Sequence, residues 1–306
     1  KLDIQMNADL DLLGAAESVK PQTEDGLKID TDLNKLDEGI RRIQAQQANQ
    51  KVRQLLGQAQ AEMERKNYKQ AIKLLDQALA IEPYVAASWS MRGLVRAKLG
   101  QRDEAASDYA KSLEQSIDWE AGFLGWLEIC ESREQRLRVF ELVQRELKSQ
   151  VVTGDLLLTL TDHVQPTLDD AATLQLFREM HQARPDLFQS WLALVDVLRR
   201  QDKLPEAAEL MQQATTRFPL LPRIWSDAAA LAEQQEQPQQ QIEYLKRALS
   251  INPRWPQVIY RLAIAYYDQG QKTAAFDLLH NTLAESPRDV LLRCGLAELY
   301  WKDEQS

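Results

Sequence analysis

The sequence predicts an all-α solenoid built from 34-residue helix-turn-helix units, and three observations lead there. Pro83, Pro185, Pro219, Pro253 and Pro287 are separated by 102, 34, 34 and 34 residues, and 102 is three times 34. Six residues beyond six successive positions of that phase stands a large apolar residue: Trp89, Phe123, Leu157, Trp191, Trp225 and Ile259. The stretch that lacks the proline therefore keeps the period. Finally, 11 glycines in 306 residues are about half the usual share of roughly 7%, in a chain rich in Ala, Leu, Glu and Gln. That composition favours helices over turn-rich sheets.

Residues 1–51 stand outside the period. In residues 1–13, Leu2, Ile4, Met6, Ala8, Leu10 and Leu12 alternate with polar residues, the pattern of a half-buried strand, while Leu2, Met6, Leu10 and Leu13 form a competing helical stripe. A strand or a short helix is expected there. Residues 14–31, with Gly14, Pro21 and Gly26 among charged side chains, read as an acidic linker. Across residues 32–51, Leu33, Leu36, Ile40 and Ile43 have amphipathic helical spacing and predict an N-terminal capping helix that continues through Gln-rich, solvated residues 44–50.

From residue 52 the units are 52–85, 86–119, 120–153, 154–187, 188–221, 222–255 and 256–289, with residues 290–306 as a half repeat. The eighth position is often small (Ala59, Gly93, Ala229, Ala263, Ala297), and the twentieth is alanine in four units (Ala71, Ala105, Ala207, Ala275). Small residues at those points let helices approach closely. The twenty-fourth position is bulky, as at Leu75, Tyr109, Phe177 and Met211. In the unit from Phe188, Trp191, Leu194, Val195 and Leu198 recur at intervals of three and four, Gln201 to Lys203 breaks the pattern, and Ala207, Met211 and Ala214 resume it on a second helix. Pro219 stops that helix because it lacks an N–H and disfavours helical geometry in the residue before it.

The unit from Val52 carries Leu55, Ala59, Tyr68, Ala71, Leu75, Ala78 and Pro83, and the unit from Pro256 carries Leu262, Ala263, Tyr266, Gly270, Ala275 and Pro287. These residues resemble the tetratricopeptide repeat. The resemblance covers residues 52–306 and implies two antiparallel helices per unit, stacked into a right-handed superhelix whose first helices line a concave groove. Units 120–187 depart from the pattern, with Val139 and Thr173 where alanine is expected, so looser packing is expected there.

Function has to be read from what packing leaves over. The formal charge is -9, from 37 Lys+Arg against 46 Asp+Glu, without basic blocks. This argues against a nucleic-acid partner, since that affinity comes from cations neutralising phosphates. No apolar run approaches the roughly 20 residues of a membrane-spanning helix. Cys130 and Cys294 form neither a disulfide framework nor a metal-ligand cluster, and they fit a reducing, cytoplasmic compartment. His163, His181 and His280 fall at unrelated positions of different units, and there is no Gly-rich phosphate loop, HExxH or GxSxG. No catalytic residue, metal or cofactor is therefore expected, and this stretch is not read as an enzyme.

The stripe that faces the groove carries its densest chemistry in the last four units: Asp196, Arg199, Arg200, Arg223, Tyr260, Tyr267, Asp268, Trp301 and Lys302. Aromatic area combined with cations suits a protein or peptide partner that has acidic and apolar groups. The alternative is that the tyrosines pack between units and the arginines make local ion pairs. Members of the resembled family that hold chaperone C-termini use Lys and Asn where this chain has Leu56 and Gln60, which disfavours that role. The expected function is a protein-interaction scaffold within a larger, multidomain protein. Two rivals stay open: a substrate-presenting region beside a catalytic domain elsewhere, and a structural element that self-associates through open solenoid ends.

Overall fold

The computed structural model describes residues 33–165 and 167–304, with side chains from residue 44 onward. The strand or helix expected at residues 1–13, the linker at 14–31 and the apolar stripe of Leu33, Leu36, Ile40 and Ile43 lie outside the described residues or side chains. Two compact units divide the chain, Lys1–Gln47 and Ala48–Ser306. The described part of the first is helix from residue 33 to 47.

The second unit is an all-α solenoid. Among the described residues there are fifteen helices and no strand. They form hairpins in chain order: α1 (Leu33–Glu64) with α2 (Tyr68–Ile81), α3 (Ala86–Lys98) with α4 (Arg102–Gln115), and α5 (Glu120–Ile129) with α6 (Arg133–Leu147). Next come α7 (Leu156–His163) with α8 (Asp170–Ala183), α9 (Phe188–Arg200) with α10 (Leu204–Arg217), and α11 (Pro222–Gln234) with α12 (Pro238–Ile251). The last are α13 (Pro256–Asp268) with α14 (Lys272–Glu285), then α15 (Val290–Glu304). Helix α1 runs unbroken through the Gln- and Ala-rich stretch before Val52, because no Gly, Pro or cap interrupts it from residue 41 to 56. Residues 44–51 are exposed apart from half-buried Ala48, and burial begins at Val52.

Turns within the hairpins share one device. Lys66, Gly100, Asp202, Glu236 and Gly270 have φ of 61°, 78°, 57°, 57° and 73°, and all five occupy the fifteenth position of their units. Each follows a helix end closed by paired backbone bonds: Asn67 N–H donates to Glu62 O at 2.8 Å and Lys66 N–H to Met63 O at 2.9 Å, and the same register recurs at the other four turns. This is the left-handed helix stop that glycine adopts without strain. Three of the five positions bear a side chain there, so Lys66→Gly, Asp202→Gly and Glu236→Gly are each expected to raise stability by about 0.5–1 kcal/mol. Gly100→Ala and Gly270→Ala should lose about as much, although a Cβ at either site would meet nothing within 4 Å. Chemical denaturation of the five variants checks the sign at each turn; equal stabilities would remove the backbone argument.

Turns between hairpins explain the Pro and Trp period. Trp89 Nε1 donates to Pro83 O at 2.7 Å, Trp191 Nε1 to Pro185 O at 3.0 Å and Trp225 Nε1 to Pro219 O at 2.9 Å. One residue ends the helix and the other ties the turn to the next helix.

The central hairpins solve the same problems differently. Glu134 and Leu168, at the fifteenth positions, have no left-handed backbone. Instead Ser132 and Gln135 form a capping box at the start of α6, and the Asp169 carboxylate accepts from Ala172 N–H at 2.8 Å at the start of α8. The first helices shorten to 10 residues in α5 and 8 in α7. Long-range side-chain bonds staple the loops: Gln150 receives from Ile117 N–H and donates to Leu113 O, Arg184 donates to Leu147 O and Gln150 O, and Asp118 accepts from Thr153 N–H and Gly154 N–H. The paired helices of these two units approach each other less closely than α3 with α4, α9 with α10, α11 with α12 and α13 with α14, as expected, and Thr173 Oγ1 is buried without a hydrogen-bond partner among the described residues, while the side chains between the helices stay buried. Val139 is 0% exposed and Thr173 4%, and the largest apolar cluster among the described residues runs from Leu113 to Leu231 through this centre. Shorter helices and stapled loops make room for side chains larger than alanine.

Candidate functional site

The first helices of three consecutive hairpins, α7, α9 and α11, enclose a cavity of about 460 Å³. Its floor is apolar, from Leu158, Leu192 and Val195, and its walls carry Asp162 and Thr159 from α7, Asp196, Arg199 and Arg200 from α9, and Arg223 and Asp227 from α11. The intervals of three and four that bury Trp191, Leu194 and Leu198 on one side of α9 turn Asp196, Arg199 and Arg200 to the other.

The cations are not equivalent. Arg200 bridges two helices, pairing with Asp162 of α7 and placing Nε 2.8 Å from Asp196 Oδ2. Arg223 pairs with Asp227 one turn along α11, at 2.8 Å. Arg199 donates its hydrogen bond to the neutral Gln234 Oε1 at 2.9 Å and acts on the Asp227 carboxylate only through space. Burial pushes the Asp227 carboxyl above the usual carboxylate range, against the opposing pull of Arg223, Arg261 and Arg199.

Structure brings together Asp196, Arg199, Arg200 and Arg223, and places the other stripe residues elsewhere. Tyr260 lies between α13 and α15, its hydroxyl donating to Glu298 Oε2 at 2.7 Å. Tyr267 is 8% exposed, and its hydroxyl donates to Asp303 Oδ1 at 3.3 Å. Lys302 Nζ is 3.4 Å from Asp268 Oδ1 and 3.5 Å from Glu298 Oε1. Trp301 stays 60% exposed. Tyr260, Tyr267, Asp268 and Lys302 join α13 to α15, Trp301 is exposed, and none of the five lines the cavity. Asp162 and Leu158 were legible, since they occupy in the unit from residue 154 the positions that Asp196 and Leu192 occupy in the unit from Phe188. Asp227 falls one position off the stripe and gives no such signal.

The histidines pack on aromatic rings: His163 against Phe123, His181 edge-on to Trp191 with centroids 4.4 Å apart, and His280 beside Tyr300. Burial holds His181 below the ordinary imidazole range. Burial raises the Cys130 thiol, whose Sγ lies 3.2 Å from Trp126 O. Among the described residues no group of His, Cys, Asp and Glu has the arrangement of a metal site, and no helix is long and apolar enough to cross a membrane. Leu56 is buried, 5% exposed, at the place where a chaperone-binding clamp needs a lysine.

Stacked helical hairpins with a charged, apolar-floored cavity on their first helices define a helical-repeat binding protein. The tetratricopeptide repeat profile matches residues 56–118 and 192–257, and a second profile of the same repeat matches 257–288. Together they cover more than half of the chain, which belongs to the tetratricopeptide repeat family, whose members bind protein partners. No curated protein sequence matches it. Among solved structures it is similar to an assembly chaperone of RpL4, Acl4, at 18% identity and TM-score 0.41 over 83% of this chain and 97% of that one. PilW, a type IV pilus biogenesis factor, matches at 16% identity and TM-score 0.45 over 80% and 98%. The C-terminal part of a repeat-containing protein from Cytophaga hutchinsonii matches at 14% identity and TM-score 0.45 over 79% and 99%.

Proposed function

We infer that this protein is an interaction scaffold that holds an acidic, partly apolar segment of a partner protein in the cavity between α7, α9 and α11. The observation that carries this is Arg199, a cation with a neutral hydrogen-bond partner beside an apolar floor. A guanidinium offers a fork of donors, so an incoming carboxylate makes a two-point contact while the neighbouring apolar side chain of the ligand covers Leu192 and Val195. Rigid flanking helices spare the protein the ordering cost of binding.

A fluorescent peptide alternating Asp or Glu with Leu provides the test. Arg199→Ala and Arg223→Ala are each expected to weaken its binding about tenfold, with helical circular dichroism unchanged, and added salt should weaken it further. Equal affinity for both variants and the parent protein would remove this site as the binding groove.

A further inference from the structure

Another face of α11 carries a second cavity, of about 400 Å³, which opens between the second helices α10 and α12. Its size falls within the range of natural ligand pockets, roughly 300–1,000 Å³. Three alanines create it: Ala208 on α10 and Ala228 and Ala232 on α11 leave space that longer side chains would fill. Met211 and Leu231 complete an apolar floor, both 3% exposed.

Its rim differs in chemistry from that of the first cavity. Where the α9 groove has three arginines, this rim is made of amides, with Glu209 the one charged lining residue. Gln240 is tied to Tyr244 Oη at 2.7 Å, and Gln235 to Leu204 O at 3.2 Å. Gln212 and Gln237 have no side-chain hydrogen bond among the described residues, which leaves a donor and an acceptor on each side of the opening. The Gln-rich segment of residues 233–241 thus does more than turn the chain, since Gln235, Gln237 and Gln240 all line the cavity.

We propose that this cavity is a second docking site, which takes an amphipathic helix of a partner protein presenting aliphatic side chains on a neutral to basic face. The shape argues for a helix: α10 and α12 stand as two ridges over α11, and a helix laid between them packs in the same way as helices within the solenoid. The floor requires aliphatic side chains, the amide rim tolerates polar neighbours, and Glu209 favours a cation over an anion. An acidic segment is therefore sorted to the α9 groove and a basic helix to this one. The site goes beyond the groove reading and does not rest on it.

The probe is a labelled helical peptide of about 14 residues, long enough to be partly helical, built from Ala, Gln and Lys with leucines spaced i, i+4. Binding to the whole chain is followed by fluorescence anisotropy, with a Glu-for-Lys peptide as the contrast. The basic peptide is expected to bind saturably. Ala208→Trp, which fills the cavity from a half-buried position, and Glu209→Lys, which reverses an exposed charge, should each weaken it about tenfold. Arg199→Ala should leave it unchanged. No saturable binding, equal affinity for the acidic peptide, or affinity unchanged in both cavity variants would overturn the proposal. So would peptide binding that only follows a rise in molar mass in light scattering, because a second copy of the chain would then create the site. Loss of the acidic peptide alone in Arg199→Ala separates failure of this proposal from failure of the α9 groove.

Discussion

Asp108→Ala is expected to cost about 3–5 kcal/mol of folding stability, the range measured when one partner of a buried ion pair is removed. The carboxylate of Asp108 is 1% exposed and accepts from Arg92 Nε at 3.0 Å, from a terminal nitrogen of Arg92 at 2.7 Å and from Arg96 at 2.8 Å. Arg92 continues to Asp76 on α2 at 2.6 Å and stacks on Trp89, its guanidinium carbon 4.7 Å from the ring centroid. Three helices thus meet through the Arg92 guanidinium, at a seam between two apolar clusters: Met91 and Val95 of α3 belong to the cluster of the first hairpin, whereas Leu113 of α4 begins the central one. Alanine leaves two arginines facing a buried gap, and Asp76, which is largely in water, does not replace the lost pairing.

Two controls separate charge from volume. Asp108→Asn keeps the shape and one acceptor, so it should lose less than the alanine variant. Replacing Arg92 and Asp108 together by Met and Leu should recover much of the loss, since apolar substitutes for a buried ion pair are often neutral or better. Urea denaturation gives the three values. A loss below about 1 kcal/mol for Asp108→Ala would place the seam's stability in its apolar contacts. Hydrogen exchange should show α1 and α2 opening before the centre in that variant, because repeats are coupled only to their neighbours.

The period was legible because its physical cause is in the sequence: a proline follows five of the seven second helices and, in three units, a tryptophan bonds back to it. The left-handed turn was not, since its position holds Lys, Gly, Asp, Glu and Gly, residues with nothing in common except that the surrounding bonds force one backbone shape on them. Capping by Ser132 with Gln135 is readable locally, and it takes over where that turn is missing. At the candidate site, Asp196, Arg199, Arg200 and Arg223 follow from helical position alone. Tyr260 and Tyr267 hold equivalent positions, yet α15 covers them, because position within one helix does not say which neighbour closes over it. Which side chains pair at the site is decided between helices, as for Arg200 with Asp162 and Arg199 with Gln234, and 38 or 35 residues of sequence separate those partners.

Gly125→Ala is expected to destabilise the protein by about 2–3 kcal/mol, in the overpacking range, even though the same change inside a helix ordinarily stabilises by about 1 kcal/mol. A Cβ on Gly125 would lie 2.6 Å from both Cε1 and Cζ of Tyr109 and 2.8 Å from its hydroxyl. Tyr109 is 2% exposed, and its ring has no free direction of retreat: a Cβ on Gly93 would already stand 3.0 Å from Cδ1 and Cε1. The ring of α4 is therefore held between glycines of α3 and α5, which is why both first helices lack a side chain at those points. Propensity and packing thus oppose each other at Gly125, and the sign of the measured change decides between them. At Gly57, where a Cβ would meet nothing within 4 Å, Gly57→Ala should show the ordinary gain and serves as the internal standard. Shrinking the ring relieves the conflict, so Gly125→Ala combined with Tyr109→Leu should be more stable than the sum of the two single losses. Thermal melts of the four variants test this. A rise in melting temperature for Gly125→Ala would mean that α5 shifts freely away from Tyr109, and strict additivity in the double variant would show that the ring is not what the glycine accommodates.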